Sequence, residues 1–190
     1  MIIRLGELTD ADALWAILEP ILRAADTYAL PADWNRLEAL AYWFDQEHSV
    51  FVAEHDGRLL GTYYIQANQK GGGAHVANCA YMIAAEAAGR GVGSLLCAHS
   101  LGEAATRGFQ AMQFNFVVST NTRAIALWRK FGFSVVGVLP RAFLHPASGL
   151  VDALVMFREG CESSSGLEQL GSDAVETVAS RKNVERLEIG

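Results

Sequence analysis

A chain of 190 residues, 51% hydrophobic and 19% charged, suits one globular domain with one sizeable core. Its formal net charge of −6, with no block of Lys and Arg, argues against a nucleic-acid binder, whose footprint is basic. No apolar stretch approaches the ~20 residues a membrane helix needs, so no membrane partner is expected.

In chain order, "MIIRLGEL" predicts a first strand, and Thr9 or Asp10 a cap for the helix after it. Leu14, Ile17, Leu18, Ile21 and Leu22 recur there at helical spacing. "PADWNRLEALAYWF" predicts a second helix that starts at Pro31, where a missing N–H does no harm. "SVFVAEHDGRLLGTYYIQA" reads as two strands joined at Asp56-Gly57, a hairpin signal. "NQKGGG" is a loop, and "AHVANCAYMIA" a strand rich in small residues.

A glycine-rich turn, "AAGRGVGSLL", then opens a helix running to about Arg107. "AMQFNFVVS" predicts a strand, and "NTRAIALWRKF" a helix with Gly132 at its C-terminal cap. "FSVVGVLP" and "LVDALVMFR" are two further strands, joined by a loop holding Pro140, His145 and Pro146. Helices alternating with strands after paired strands indicate an α/β fold, a mixed sheet with helices on both sides. Residues 1–159 form the domain; residues 160–190, polar and without aromatics, read as a mobile tail with a short helix near Ala174–Ser180. A tail docked on a second subunit, and so a homodimer, is left open.

Cys79, Cys97 and Cys161 are widely spaced and form no zinc or CxxC pattern, so no metal is expected. Met1–Leu5, followed by Gly6, Glu7 and Asp10, lacks the basic start and long apolar run of a signal peptide. A reducing cytoplasm is the expected location.

The glycine turn carries the first chemical signal. A strand that passes through glycines into a helix offers unpaired N–H groups at the positive end of the helix dipole, a site for phosphate. Gly89, Gly91 and Gly93 let backbone come close, Arg90 adds charge, and Ser94 a hydroxyl. The Gly-Lys-Ser/Thr ending of a Walker loop is absent, and Ser94 stands where a GxGxxG fingerprint needs its third glycine. The pyrophosphate of coenzyme A is the third ligand of this kind. A tight helix–sheet contact without any ligand is the plain alternative.

"NTRAIALWRKFGF" follows about thirty residues later. Together the two stretches resemble the GNAT superfamily of acetyl-CoA-dependent N-acetyltransferases, over roughly Met1 to Arg158. The family loop, Gln/Arg-x-x-Gly-x-Gly/Ala, is matched by Gly91 and Gly93, with Ala88 in place of the usual Gln or Arg. The family helix, Asn-x-x-Ala-x-x-Leu-Tyr-x-x-x-Gly-Phe, is matched by Asn121, Ala124, Leu127, Gly132 and Phe133. The resemblance implies a central, mixed, mostly antiparallel splayed sheet flanked by helices. It implies acetyl-CoA as cosubstrate, with the pantetheine arm on the backbone of Tyr81, Met82 and Ile83. The pyrophosphate would lie on the N–H groups of Gly89, Arg90, Gly91, Val92, Gly93 and Ser94, with Asn121 near the thioester.

Acetyl transfer needs an amine that has lost its proton, although an alkylamine sits near pKa ~10. It also needs donors for the oxyanion and help for the leaving thiolate. Trp128 replaces the Tyr that serves the thiolate in many members; an indole donates a hydrogen bond but is no acid, and core packing is its expected role. Tyr63, Tyr64 and Tyr81 are the available stand-ins. Asn78 and Asn115 interrupt strands where an unpaired amide is costly. Asn115 alternates with Phe114 and Phe116, so it is expected on the opposite face from both.

With Asn121 these asparagines resemble the set in a yeast subgroup that acetylates the proline analogue azetidine-2-carboxylate. Carried over, Asn78 and Asn115 would position the acceptor, and Asn121 would polarise the thioester or steady the leaving group. Glu54 and His75 are weaker candidates for a base, and Cys79 reads as a buried hydrophobe rather than a nucleophile. The expected partner is a small-molecule amine, an amino acid or its analogue. A protein α-amine or Lys acceptor, and an acyl-CoA-binding module without catalysis, are the alternatives.

Overall fold

The computed structural model describes residues 1–161, so the expected tail lies outside the described residues but for Gly160 and Cys161. In chain order the elements are β1 (Ile2–Leu5), α1 (Ala11–Ala24), α2 (Arg36–Trp43), β2 (Ser49–His55), β3 (Arg58–Ala67) and β4 (Val76–Ile83). They continue with α3 (Val92–Thr106), β5 (Ala111–Val118), α4 (Thr122–Lys130), β6 (Ser134–His145) and β7 (Gly149–Glu159). The strands form one sheet in the order β1-β2-β3-β4-β5-β7-β6. Every neighbouring pair is antiparallel except β4 with β5, a parallel pair registered only at Val76–Ala111 and Ala77–Met112.

Alternation along β3 puts helices on both faces, as the pattern of elements predicts. On one face Tyr63 reaches His99 of α3, and a Cβ on Gly61 would press on Val92 and Leu96 at 3.1 Å. On the other face the Trp43 indole donates to Thr62, and Tyr64 meets Tyr42 of α2. Thr62 is fully buried, yet its hydroxyl also donates to the Phe51 carbonyl at 2.8 Å, so no polar atom is stranded. Leu14, Leu18 and Leu22 of α1 and Leu96, Leu101 and Ala104 of α3 supply the buried stripes.

Four local expectations are corrected. Helix α2 starts at Arg36, not at Pro31, because Asn35 and Glu38 form a reciprocal capping box at 3.1 and 2.8 Å. Asp10 precedes α1, but its carboxylate binds Arg4 and the Glu7 N–H instead of capping the helix. The loop expected at Pro140 to Pro146 shrinks, since β6 continues to His145. The ladder with β7 is interrupted between Leu139 and Phe143, where Pro140 and left-handed Arg141 (φ 53°) are tolerated on an edge strand. In β5 the register jumps from Phe114–Met156 to Val117–Leu154, so one extra residue bulges at Asn115 and Phe116. The bulge breaks the expected alternation: Phe114 packs on Tyr81, Trp128 and Phe133, while Phe116 faces Phe143.

His99 ties α3 to the sheet through a 2.7 Å hydrogen bond with the Tyr63 hydroxyl. Burial holds its imidazole below the ordinary value of 6.5, against a smaller opposing effect of Glu103. The fold thus favours the neutral ring, and the unfolded chain binds more protons as acid is added. The contribution of His99 is complete above 6.5 and is lost as pH falls through the lowered folded value. Thermal melting from about pH 8 to about pH 5 should show a shallower decline in Tm for His99→Gln than for the wild type.

Candidate active site

The parting of β4 from β5 opens the site. Strand alternation sends the backbone groups of Asn78, Ala80, Met82 and Ala84 toward β3, with Ala84 N–H on Leu60 carbonyl at 3.0 Å. Cys79, Tyr81 and Ile83 therefore turn their N–H and C=O toward the opening. At the fork, Asn78 Nδ2 donates to the Gln113 carbonyl at 2.8 Å, replacing the ladder that stops there. Met82 spends its backbone groups on β3 and buries its side chain, so of these two expected ligands only Ile83, half-buried, turns its backbone and the rim of its side chain to the cleft.

The crossover from β4 to β5 places the glycine turn at the end of this open edge. Gly91 adopts φ 80° as the residue before α3, a conformation costly for any residue with a Cβ. Apart from the adjoining residues of the turn itself, no heavy atom lies within 4 Å of a Cβ built on Gly89 or Gly91, so the space beside them is open to a ligand. The first helical hydrogen bond of α3 runs from Leu95 N–H to Gly91 carbonyl, leaving the preceding N–H groups at the positive helix end. Gly93 has a different reason to be glycine: a Cβ there would lie 3.0 Å from Ile83 and 3.1 Å from Leu127. Gly89, Gly91, Gly93 and Ser94 line the cavity; Arg90 is exposed outside its lining, and Val92 buries its side chain in the core.

A cavity of about 790 Å³ joins this turn to the three asparagines. They share the cavity without bonding one another. Asn121 Oδ1 accepts the Ala124 N–H at 3.1 Å and caps α4, which leaves its amide N–H₂ for a ligand. Asn115 stands in an amide chain: Gln113 Nε2 donates to its Oδ1, and its Nδ2 donates to Asn68 Oδ1, both at 2.7 Å. Each amide keeps unused capacity, since it carries two donors and two lone pairs.

Opposite lies an aromatic wall of Tyr28, Tyr42 and Tyr64, with the Tyr42 and Tyr64 hydroxyls 3.2 Å apart. Burial raises the phenols of Tyr28, Tyr64 and Tyr81, so all remain protonated at neutral pH. Of the expected stand-ins for the missing Tyr, only Tyr64 presents its phenol here. The Tyr81 hydroxyl bonds Ser100 at 2.7 Å in the core, and that of Tyr63 bonds His99. Trp128 is buried with ring centroids 4.9 Å from Tyr81 and 4.6 Å from Phe114, in keeping with a packing role.

Glu54 is drawn away from the site by Arg4 at 2.8 Å, and His75 binds the Gly72 carbonyl on the surface. Neither lines the cavity. Cys79 is buried, and burial pushes its thiol up, away from the thiolate a nucleophile needs. Sequence reasoning missed Tyr28, Gln66 and Asn68, which belong to no motif.

The pattern of the Acetyltransferase (GNAT) family matches residues 12–133, a span that includes both the glycine turn and the Asn121–Phe133 stretch. N-acetyltransferase aca1 of Schizosaccharomyces pombe is 33% identical over 98 residues, 51% of this chain and 47% of that protein. The matching part thus spans about half the length of this curated relative. A GCN5-related N-acetyltransferase from Kribbella flavida superposes with a TM-score of 0.79 at 39% identity, covering 83% of this chain and 96% of that one. The yncA protein of Salmonella typhimurium, solved with its cofactor acetyl-CoA, shares the fold at a TM-score of 0.75 and 20% identity, over 87% and 96% of the two chains.

The open turn fits a pyrophosphate, and Gly91→Glu puts a like charge and a strained backbone against it. Calorimetric titration should show coenzyme A affinity lowered at least ~10-fold by this variant. Unchanged affinity would remove the turn from the binding site.

Proposed function

This chain belongs to the Acetyltransferase (GNAT) family, and from that premise we propose that it transfers an acetyl group directly from acetyl-CoA to the amine of a small molecule, an amino acid or an analogue. The observation that carries the reading is the shared cavity. One space of about 790 Å³ holds the glycine turn, the open β4 edge and Asn78, Asn115 and Asn121. That volume suits a cofactor arm with a small acceptor beside it.

The lining favours this acceptor class on charge. Among the described residues it contains no Asp or Glu, and its one charged side chain is the exposed Arg123. A polyamine would lose water there without gaining a counter-charge. An amino acid brings its own carboxylate, which Arg123 complements.

Acetyl-CoA supplies the activated acetyl group and a thiol leaving group. The N–H groups of Gly91 to Ser94 would hold its pyrophosphate, and the cleft-facing groups of β4 its amide arm. Asn78 and Asn115 would position the acceptor amine with amide donors and acceptors, and the Asn121 N–H₂ would serve the thioester or the leaving thiol. No lining residue has a side chain that removes a proton at neutral pH, so the amine loses its proton to water.

Steady-state thiol release over a panel of amines tests the reading. Free amino acids or their cyclic analogues should turn over. Release with peptides and with no free amino acid would overturn the small-molecule assignment, and acetyl-CoA binding with no turnover on any amine would leave a binding module. In the same assay Asn115→Ala should lower kcat/KM for the acceptor roughly 10- to 100-fold while leaving acetyl-CoA affinity within about 2-fold. Untouched acceptor kinetics would make Asn115 structural.

A further inference from the structure

Tyr28 lies between α1 and α2, outside any regular element, yet its hydroxyl reaches the middle of β4. It accepts the Tyr81 N–H at 3.0 Å and donates to the Tyr81 carbonyl. Both groups face the opening where β5 has left β4, so no strand can satisfy them. One phenol thus does at Tyr81 what a neighbouring strand does elsewhere in the sheet. The amide-bearing arm of coenzyme A offers the same complement, a carbonyl acceptor and an N–H donor. The two cannot hold the same N–H and C=O together.

We propose that Tyr28 is a positioning residue of the cofactor slot: its hydroxyl holds the cleft-facing N–H and C=O of Tyr81 in the free protein and yields them to the pantetheine arm of acetyl-CoA. The claim rests on the acetyl-CoA reading above. The occupied state avoids the cost of leaving two buried backbone groups unpaired. Release breaks no strand ladder, because Tyr28 belongs to no strand. Tyr28 also makes no ring–ring contact among the described residues, whereas Tyr42 and Tyr64 are locked in a cluster with Trp43 and His48. Since the Tyr28 ring is a wall of the acceptor cavity, cofactor entry reshapes the place where the amine sits.

Calorimetric titration of Tyr28→Phe and the wild type tests the proposal, with two probes. Acetyl-CoA reaches the Tyr81 backbone; the nucleotide half of coenzyme A, lacking the pantetheine arm, reaches only the glycine turn. Without a hydroxyl to displace, the variant should bind acetyl-CoA about 3- to 10-fold more tightly and the nucleotide half with unchanged affinity. Acetyl-CoA bound equally or more weakly by the variant would overturn the role of Tyr28 while leaving the cofactor reading intact. A wild type that binds no acetyl-CoA would overturn the cofactor reading, and the proposal with it. Tyr28→Leu, which also removes the hydroxyl, provides the same comparison if the Phe variant does not fold.

Discussion

Between Ala77 and Ile83, strand β4 keeps one hydrogen-bonding edge with no strand beside it. An edge left bare inside a protein is expensive, because each unpaired N–H or C=O loses its water without gaining a partner. The molecule meets that cost with side chains. Asn78 closes the fork by donating to the Gln113 carbonyl, and the Tyr28 hydroxyl takes both backbone groups of Tyr81. Beyond them, Ile83 and the glycine turn remain open to a ligand that carries its own amides and phosphates. The parallel crossover through α3 completes the arrangement: leaving β4 at its C-terminal end delivers a helix N-terminus to the same end of the cleft.

The same constraint organises the chemistry. Ionisable groups are tied up elsewhere, Glu54 with Arg4 at the β1–β2 edge and His99 with Tyr63 in the core. The cavity is left with amides, protonated phenols and one guanidinium. Such a lining can orient and donate, and cannot itself take a proton from an ammonium ion. On the proposed reading, the acceptor amine would lose its proton to water and be aligned by the lining amides, work to which a chain of linked amides is suited. Asn115 is held by Gln113 and Asn68 before any ligand arrives, so its remaining donor and acceptor are already aimed.

Features written in a short stretch of sequence were legible. The Asp56-Gly57 hairpin and the glycine turn each depend on neighbours a few residues away, and helical spacing was enough to expect Trp128 in the core, though its ring partners Tyr81 and Phe114 lie on distant strands. Features that depend on distant partners were not. Tyr28 meets Tyr81 across 53 residues and Asn68 meets Asn115 across 47, and no local pattern announces either. The face of Asn115 was misjudged because a bulge cancels the period of two, and a bulge is fixed by pairing with β7 rather than by the β5 sequence. Pro31 and Pro140 misled in opposite ways. A stronger cap at Asn35 displaced the helix start, and an edge strand tolerated a proline that a central strand would reject.

Hydrogen exchange of backbone amides, with and without acetyl-CoA, tests most directly whether the open β4 edge is the cofactor slot. Binding in this slot predicts slowed exchange at Ile83 and across Gly89 to Ser94, with the β6–β7 hairpin unaffected. Protection confined to other elements, with Ile83 and the glycine turn unchanged at saturating acetyl-CoA, would contradict the account.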